Sequence, residues 1–89
     1  MNIEKLTEIY GNSVARVIYD NIDAFTNNIK YLESKSFTNI MYLVHLYPYS
    51  FIQEEDEFIE KVDNLIEKLG VDYIEKINEN YELWGDVDV

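Results

Sequence analysis

The chain has 89 residues and a formal net charge of −11, so it is one domain long, and its polyanionic balance disfavours direct contact with nucleic acid or with an anionic membrane. It has no cysteine, three glycines and one proline, which excludes disulfides and thiolate metal sites and leaves too few turn formers for an all-β fold. With 47% hydrophobic residues, among them eight Tyr, four Phe and one Trp, packing alone has to hold it together.

The first ten residues lack an apolar core, and no run reaches ~18 apolar residues, so neither a signal peptide nor a membrane span is expected, and the expected compartment is the cytoplasm. The charge is lopsided. Residues 1–53 carry five acids and four bases, net −1; residues 54–89 carry thirteen acids and three bases, net −10.

Ile3, Leu6, Ile9 and Tyr10 predict a short amphipathic helix capped by Asn2 and stopped at Gly11. Ser13 caps the next, whose stripe is Val14, Val17, Ile18 and Ile22, with Phe25 as a possible extension. Thr26, Asn27 and Asn28 read as a break, followed by Ile29, Tyr31 and Leu32 on a third short helix or on the tail of the second. Thr38 caps a helix over 39–47. Its residues Ile40, Leu43, Val44 and Tyr47 line one side, and Met41, Tyr42 and Leu46 cover much of the rest, a pattern that predicts a central helix. A buried strand over 40–46 would have no second strand to pair with. Pro48 ends this helix.

The longest helix is predicted over 51–69. Ser50 and Gln53 have capping-box spacing at its head, and Phe51, Phe58, Val62, Leu65, Ile66 and Leu69 share its inner face. Gly70 closes it. Asp72 caps the last helix, with Ile74, Ile77, Tyr81 and Trp84 inside and Gly85 at its end. The expected architecture is all-α: five or six short helices in a single domain, residues 1–85, with the last two as an antiparallel hairpin and residues 86–89 as a frayed acidic tail.

The outer faces of the last two helices are the unusual feature. Asp56, Glu60, Asp63 and Glu67 recur at i, i+4, i+7 and i+11, within roughly 60° of one another. Lys61 and Lys68 fall to one flank, where Glu57 and Lys61 have i, i+4 spacing. Asp72, Glu75, Glu79 and Glu82 repeat the pattern on the final helix. Helix surfaces ordinarily intersperse lysine with glutamate. Two uncompensated acidic stripes are either outer faces that keep the protein in solution or an anion-mimicking surface that steers a basic partner. Tyr47 and Tyr49, at the Pro48 junction, are candidate aromatic anchors for the same partner.

Catalytic signatures are lacking. His45 is the only histidine; it has no nucleophile nearby and reads as structural. The run Glu54–Glu57 lacks the alternating ligands and central glycine of a calcium loop. No phosphate-binding glycine loop and no basic-aromatic patch is found. The expectation is a non-enzyme without cofactor or metal.

Residues 28–70 resemble one helical repeat of the mitochondrial transcription termination factor family: a helix, Phe37, a second helix ending at Pro48, and a longer helix closing in Leu69-Gly70. Lys35-Ser36 depart from the Leu-Gly that this family favours before the phenylalanine. The resemblance implies an all-α, solenoid-like unit. It does not imply nucleic-acid binding, since the basic groove residues have no counterpart here. In charge and size the chain also looks like small anti-restriction and anti-CRISPR proteins. The expected function is a small acidic protein that binds and inhibits a basic, nucleic-acid-handling protein. The alternative is a structural or regulatory helical-repeat module whose acidity only confers solubility.

Overall fold

A computed structural model describes residues 3–88; the predicted Asn2 cap and Val89 lie outside the described residues. Those residues are all-helical. Six α-helices, α1 (Ile3–Tyr10), α2 (Asn12–Asp20), α3 (Ile22–Ser34), α4 (Ile40–Leu46), α5 (Glu55–Leu69) and α6 (Tyr73–Glu79), are joined by two 3-10 segments, Pro48–Ile52 and Tyr81–Asp86. Glycine serves where the backbone must turn left-handed: Gly11 between α1 and α2 has φ 86°, and Gly70 after α5 has φ 91°.

The segment around which the rest packs is the 3-10 turn between α4 and α5. Pro48 has no N–H to donate and a fixed φ, so it ends α4 and opens the turn. Phe51 points into the centre of the core. Trp84 stacks on it at 5.7 Å and meets Phe37 and Phe58 edge-on at 5.9 and 6.1 Å. The Trp84 indole N–H donates to Ser50 Oγ at 3.0 Å, and Ser50 Oγ in turn donates to the Tyr47 carbonyl at 2.7 Å. Phe51 therefore belongs to the turn and not to the long helix.

The buried polar groups of the turn are tied by two amides and an ammonium. Asn28 Nδ2 on α3 donates to the carbonyls of Phe51 and Gln53, at 3.0 and 2.9 Å. Gln53 Nε2 donates to the carbonyls of Ser50 and Val87, at 2.8 and 2.7 Å. Gln53 Oε1 accepts from Lys61 Nζ at 2.6 Å. Buried carbonyls need such partners, because an unmade hydrogen bond in the interior costs about 1–3 kcal/mol.

These bonds explain several departures from the sequence expectation. Ser50 and Gln53 do not form a capping box; both serve the turn, and α5 begins only at Glu55. Thr26-Asn27-Asn28 is not a break. The helix runs through it, because the Asn28 amide is used in a tertiary contact and does not compete with its own backbone; the chain breaks earlier, at Asn21. Lys61 serves Gln53, so the expected Glu57–Lys61 pair is not formed. Ser13 lies inside α2, and neither Thr38 nor Asp72 caps through its side chain. Thr38 Oγ1 instead accepts from Asn78 Nδ2 at 3.1 Å.

Two larger expectations fail. The last helix is not continuous to Trp84: Asn80 is extended (φ −147°, ψ 92°), and its side chain accepts the Glu82 N–H, starting a new 3-10 segment. That break turns the Trp84 ring toward Phe51, and Ile74 is only half-buried. The segment after residue 85 is not frayed through Asp88. Val87 is fully buried, its carbonyl is held by Gln53, and Asp86 pairs with Lys68 at 3.0 Å.

Helix α3 ends with Ser36 in the left-handed region at φ 64°. The Phe37 N–H reaches the Leu32 carbonyl and the Ser36 N–H reaches that of Glu33, at 3.2 and 3.1 Å, a Schellman closure with serine where glycine is usual. Nor is α4 central. It packs on α3 and on the turn by Ile40, Leu43 and Val44, while Met41, Tyr42 and Leu46 are exposed.

Candidate partner-binding surface

Helix α5 is fifteen residues long and buries Phe58, Val62 and Leu65. Its opposite face carries Asp56, Glu60, Asp63 and Glu67, all exposed. Three acids also crowd its first turn, Glu55, Asp56 and Glu57, where carboxylates complement the helix dipole. Glu55 is further held by Asn27, whose amide donates to it at 2.6 Å.

The stripe lacks counterions because the three lysines of this half are placed elsewhere. Lys61 is drawn inward to Gln53. Lys68 pairs with Asp86. Lys76 pairs with Asp72 at 3.2 Å and donates to the Leu69 carbonyl at 2.6 Å. Among the described residues no lysine or arginine lies within ion-pair distance of Asp56, Glu60 or Glu67. Like charges one turn apart weaken a helix by about 0.2–0.5 kcal/mol per pair, so the arrangement is tolerated rather than stabilising.

Asp63 stands apart from its stripe. It sits on the flank nearest α3 and accepts a hydrogen bond from the Tyr31 hydroxyl. The Tyr31 hydroxyl is pushed up to about 12, by burial first and then by the hydrogen bond to Asp63 and the charge of that carboxylate. Asp63 is thus partly a structural acceptor between α3 and α5.

The second stripe does not form one helix face. Asp72 precedes α6 and is paired with Lys76; Glu75 and Glu79 lie on the helix; Glu82 falls beyond the Asn80 break, on the 3-10 segment. All four are exposed. The spacing 72, 75, 79, 82 is helical, and nothing in it signals that Asn80 will leave the helix. The two tyrosines also separate in role. Tyr47 is half-buried against the core, with its carbonyl accepting from the Ser50 N–H and Oγ, whereas Tyr49 is exposed. His45 is exposed too, with its ring 6.0 Å from that of Tyr10.

Periodicity missed Asn28 and Gln53, the buried polar residues of the hub, and the exposed apolar side of α4. The signal for the last was present: residues 38–53 contain no Asp, Glu, Lys or Arg. Among the described residues no group of three or more His, Asp or Glu side chains is placed to hold a metal ion, and no helix is long and apolar enough to cross a membrane. No family model matches the chain, and no curated protein or solved structure shows significant similarity to it.

Proposed function

We propose that the protein is a small acidic interaction protein, not an enzyme, that binds and inhibits a basic nucleic-acid-handling protein in the cytoplasm. Its binding face is the outer side of α5, with Asp56, Glu60 and Glu67 as its centre and Asp63 at its edge. With α5 and α6 as an antiparallel hairpin, Glu75 and Glu79 would extend that face, with Asp72 and Glu82 at its ends and Tyr49 as an aromatic contact outside it. The observation that carries this reading is the placement of lysine: Lys61, Lys68 and Lys76 are all committed away from the stripe. Lysine interspersed on the stripe would relieve its like-charge repulsion, and helix surfaces ordinarily carry both signs, so a stripe that keeps none bears that cost in favour of a uniform negative field. A basic groove built for phosphates would recognise regularly spaced carboxylates and be attracted from a distance.

The alternative is a structural or regulatory helical-repeat module. The order helix, Phe37, helix, Pro48, helix, Leu69-Gly70 over residues 28–70 favours it, and in that reading the acidity only confers solubility.

Affinity capture with the purified protein across a salt series, beside the variant Glu60→Lys with Glu67→Lys, separates the two. The expected result is a basic protein retained at low salt, displaced by duplex DNA and lost from the variant. Retention of the same protein by the variant at undiminished strength overturns the proposal.

A further inference from the structure

The end of α3 and the start of α4 border an open hollow of about 570 Å³, within the ~300–1,000 Å³ of ligand-sized sites. Phe37 and Ile40, both buried, and Ile29, half-buried, supply an apolar floor, and the exposed side chains of Met41 and Tyr42 stand around it. One charged side chain borders it, the exposed carboxylate of Glu33. A second hollow of about 260 Å³ shares Ile29 and Glu33, so Glu33 stands where the two meet. Glu33 also stands where a helix favours the opposite charge. It lies in the last turn of the thirteen-residue α3, whose dipole attracts a cation, and that turn holds no base. The neighbouring lysines do not answer it. Lys35 Nζ lies over the Tyr31 ring, 5.5 Å from its centroid, and Lys30 borders only the smaller hollow. Among the described residues no lysine or arginine lies within ion-pair distance of Glu33.

We propose that this hollow takes an arginine side chain presented by a partner protein, with its guanidinium on Glu33 and its aliphatic stem on Ile29, Phe37 and Met41. Charge selects the occupant. An anion would meet Glu33 and the field of a chain at −11. An uncharged side chain would strip water from the Glu33 carboxylate and offer it no partner in return. A cation pairs with that carboxylate and supplies the charge that the end of α3 lacks. Shape then favours arginine over lysine. A guanidinium is planar, is less strongly hydrated than an ammonium, stacks on aromatic faces and carries five donors. The hollow offers the Tyr42 ring, backed by that of Tyr81 at 4.7 Å, for the stacking. For the donors it offers Glu33 and Asn39, whose amide nitrogen is engaged by the Tyr81 hydroxyl at 3.0 Å while its oxygen is left to accept. One anchored side chain has a dissociation constant on the order of 1 mM, so the hollow adds to a wider contact rather than making one alone. The site shares no residue with the acidic face of α5, and its assignment does not rest on that reading.

Titration of the nitrogen-15-labelled full chain with the capped dipeptide acetyl-Leu-Arg-amide, followed by amide chemical shifts at physiological salt, tests this. The amides of Glu33 and of residues 37–42 should shift and saturate in the millimolar range. The citrulline analogue, which keeps the shape without the charge, should bind on the order of tenfold more weakly, and the lysine analogue about threefold more weakly. Inorganic phosphate should leave these amides unmoved. Glu33→Gln, with an unchanged circular dichroism spectrum, should weaken the arginine peptide on the order of tenfold. Glu60→Lys with Glu67→Lys should leave its binding at the hollow intact, which separates this site from the α5 face. Shifts that persist in Glu33→Gln and vanish in the α5 double variant would place the arginine on α5 and overturn the proposal. Equal binding of the citrulline analogue, a response of residues 37–42 to phosphate, or no shift with the arginine peptide at any millimolar concentration would overturn it as well.

Discussion

Helices α4 and α5 meet at the same turn, and each commits one side to the same core, but their outer sides are opposites. The outer side of α5 carries Asp56, Glu60 and Glu67 without an ion-pair partner among the described residues; that of α4 carries Met41, Tyr42 and Leu46 without a charge. The two teach different things about reading a helix. In α5 the polar and apolar positions alternate with the helical period, so the buried side follows from the pattern. In α4 the pattern is apolar all round, and it identifies a core side without excluding a second contact. An exposed apolar side is informative because burial in the monomer does not account for it.

The comparison assumes that both inner sides are equally built into one core, and the largest expected effects test that. Phe58→Ala on α5 and Trp84→Ala, whose ring joins Phe51 to Phe58, should each lose about 3–5 kcal/mol of unfolding free energy, and Leu43→Ala on α4 about 2–5 kcal/mol, in urea titrations followed by circular dichroism. A loss for Leu43→Ala under about 1 kcal/mol would mean that α4 is only loosely attached.

The turn between the two helices comes next. Asn28→Ala removes the donor to two buried carbonyls, and about 1–3 kcal/mol should be lost. Tryptophan fluorescence should report it, since the ring lies against Phe51 in the same turn. An unchanged midpoint would show that water replaces the amide without loss.

At the entry to the α4 region, Ser36 holds a positive φ that costs a non-glycine residue about 1–2 kcal/mol. Ser36→Gly relieves that strain but loosens the unfolded chain, so a net gain of about 0.5–1 kcal/mol is expected. A lower thermal midpoint would refute the left-handed assignment.

Outer-side substitutions should be no larger, and their signs sharpen the contrast. Tyr42→Ser with Leu46→Ser should cost about 0.5–1 kcal/mol, chiefly through the lost Tyr42–Tyr81 ring contact. Glu60→Lys with Glu67→Lys should raise it by a few tenths of a kcal/mol, through opposite-charge neighbours on α5. A loss of ~2 kcal/mol from the α4 pair would mean that its outer side is covered in the monomer.

The finest effect is one of pH. Tyr31 holds its proton above its ordinary value of 10.0, up to about 12, because of burial and Asp63. The folded state therefore binds this proton more tightly than the unfolded chain, so the stabilisation is complete below pH 10 and is lost as pH rises through about 12. Ultraviolet titration should show a late-ionising tyrosine that disappears in Tyr31→Phe. Loss of a tyrosine that ionises near its ordinary value, with the late phase undiminished, would detach Asp63 from α3 and return it to the free acidic stripe.

Much of this molecule is written in residue order alone. The all-helical character, the inner side of α5, the stop at Pro48 and the closure at Gly70 depend on local period, a missing N–H and a left-handed glycine, which neighbours in sequence are enough to decide. The exposure of Asp56, Glu60 and Glu67 follows from the same period. The tertiary structure decided what depends on partners distant in sequence. Asn28 could continue its helix because Phe51 and Gln53 accept its amide from more than twenty residues away. Lys61 left Glu57 for Gln53, and Asn80 broke the last helix in a chain that seats Trp84 on Phe51. Val87 joined the core because Gln53 reaches its carbonyl. The open side of α4 belongs to the same class. Local pattern specifies which residues avoid water, but only the packed chain shows which of them it has failed to cover.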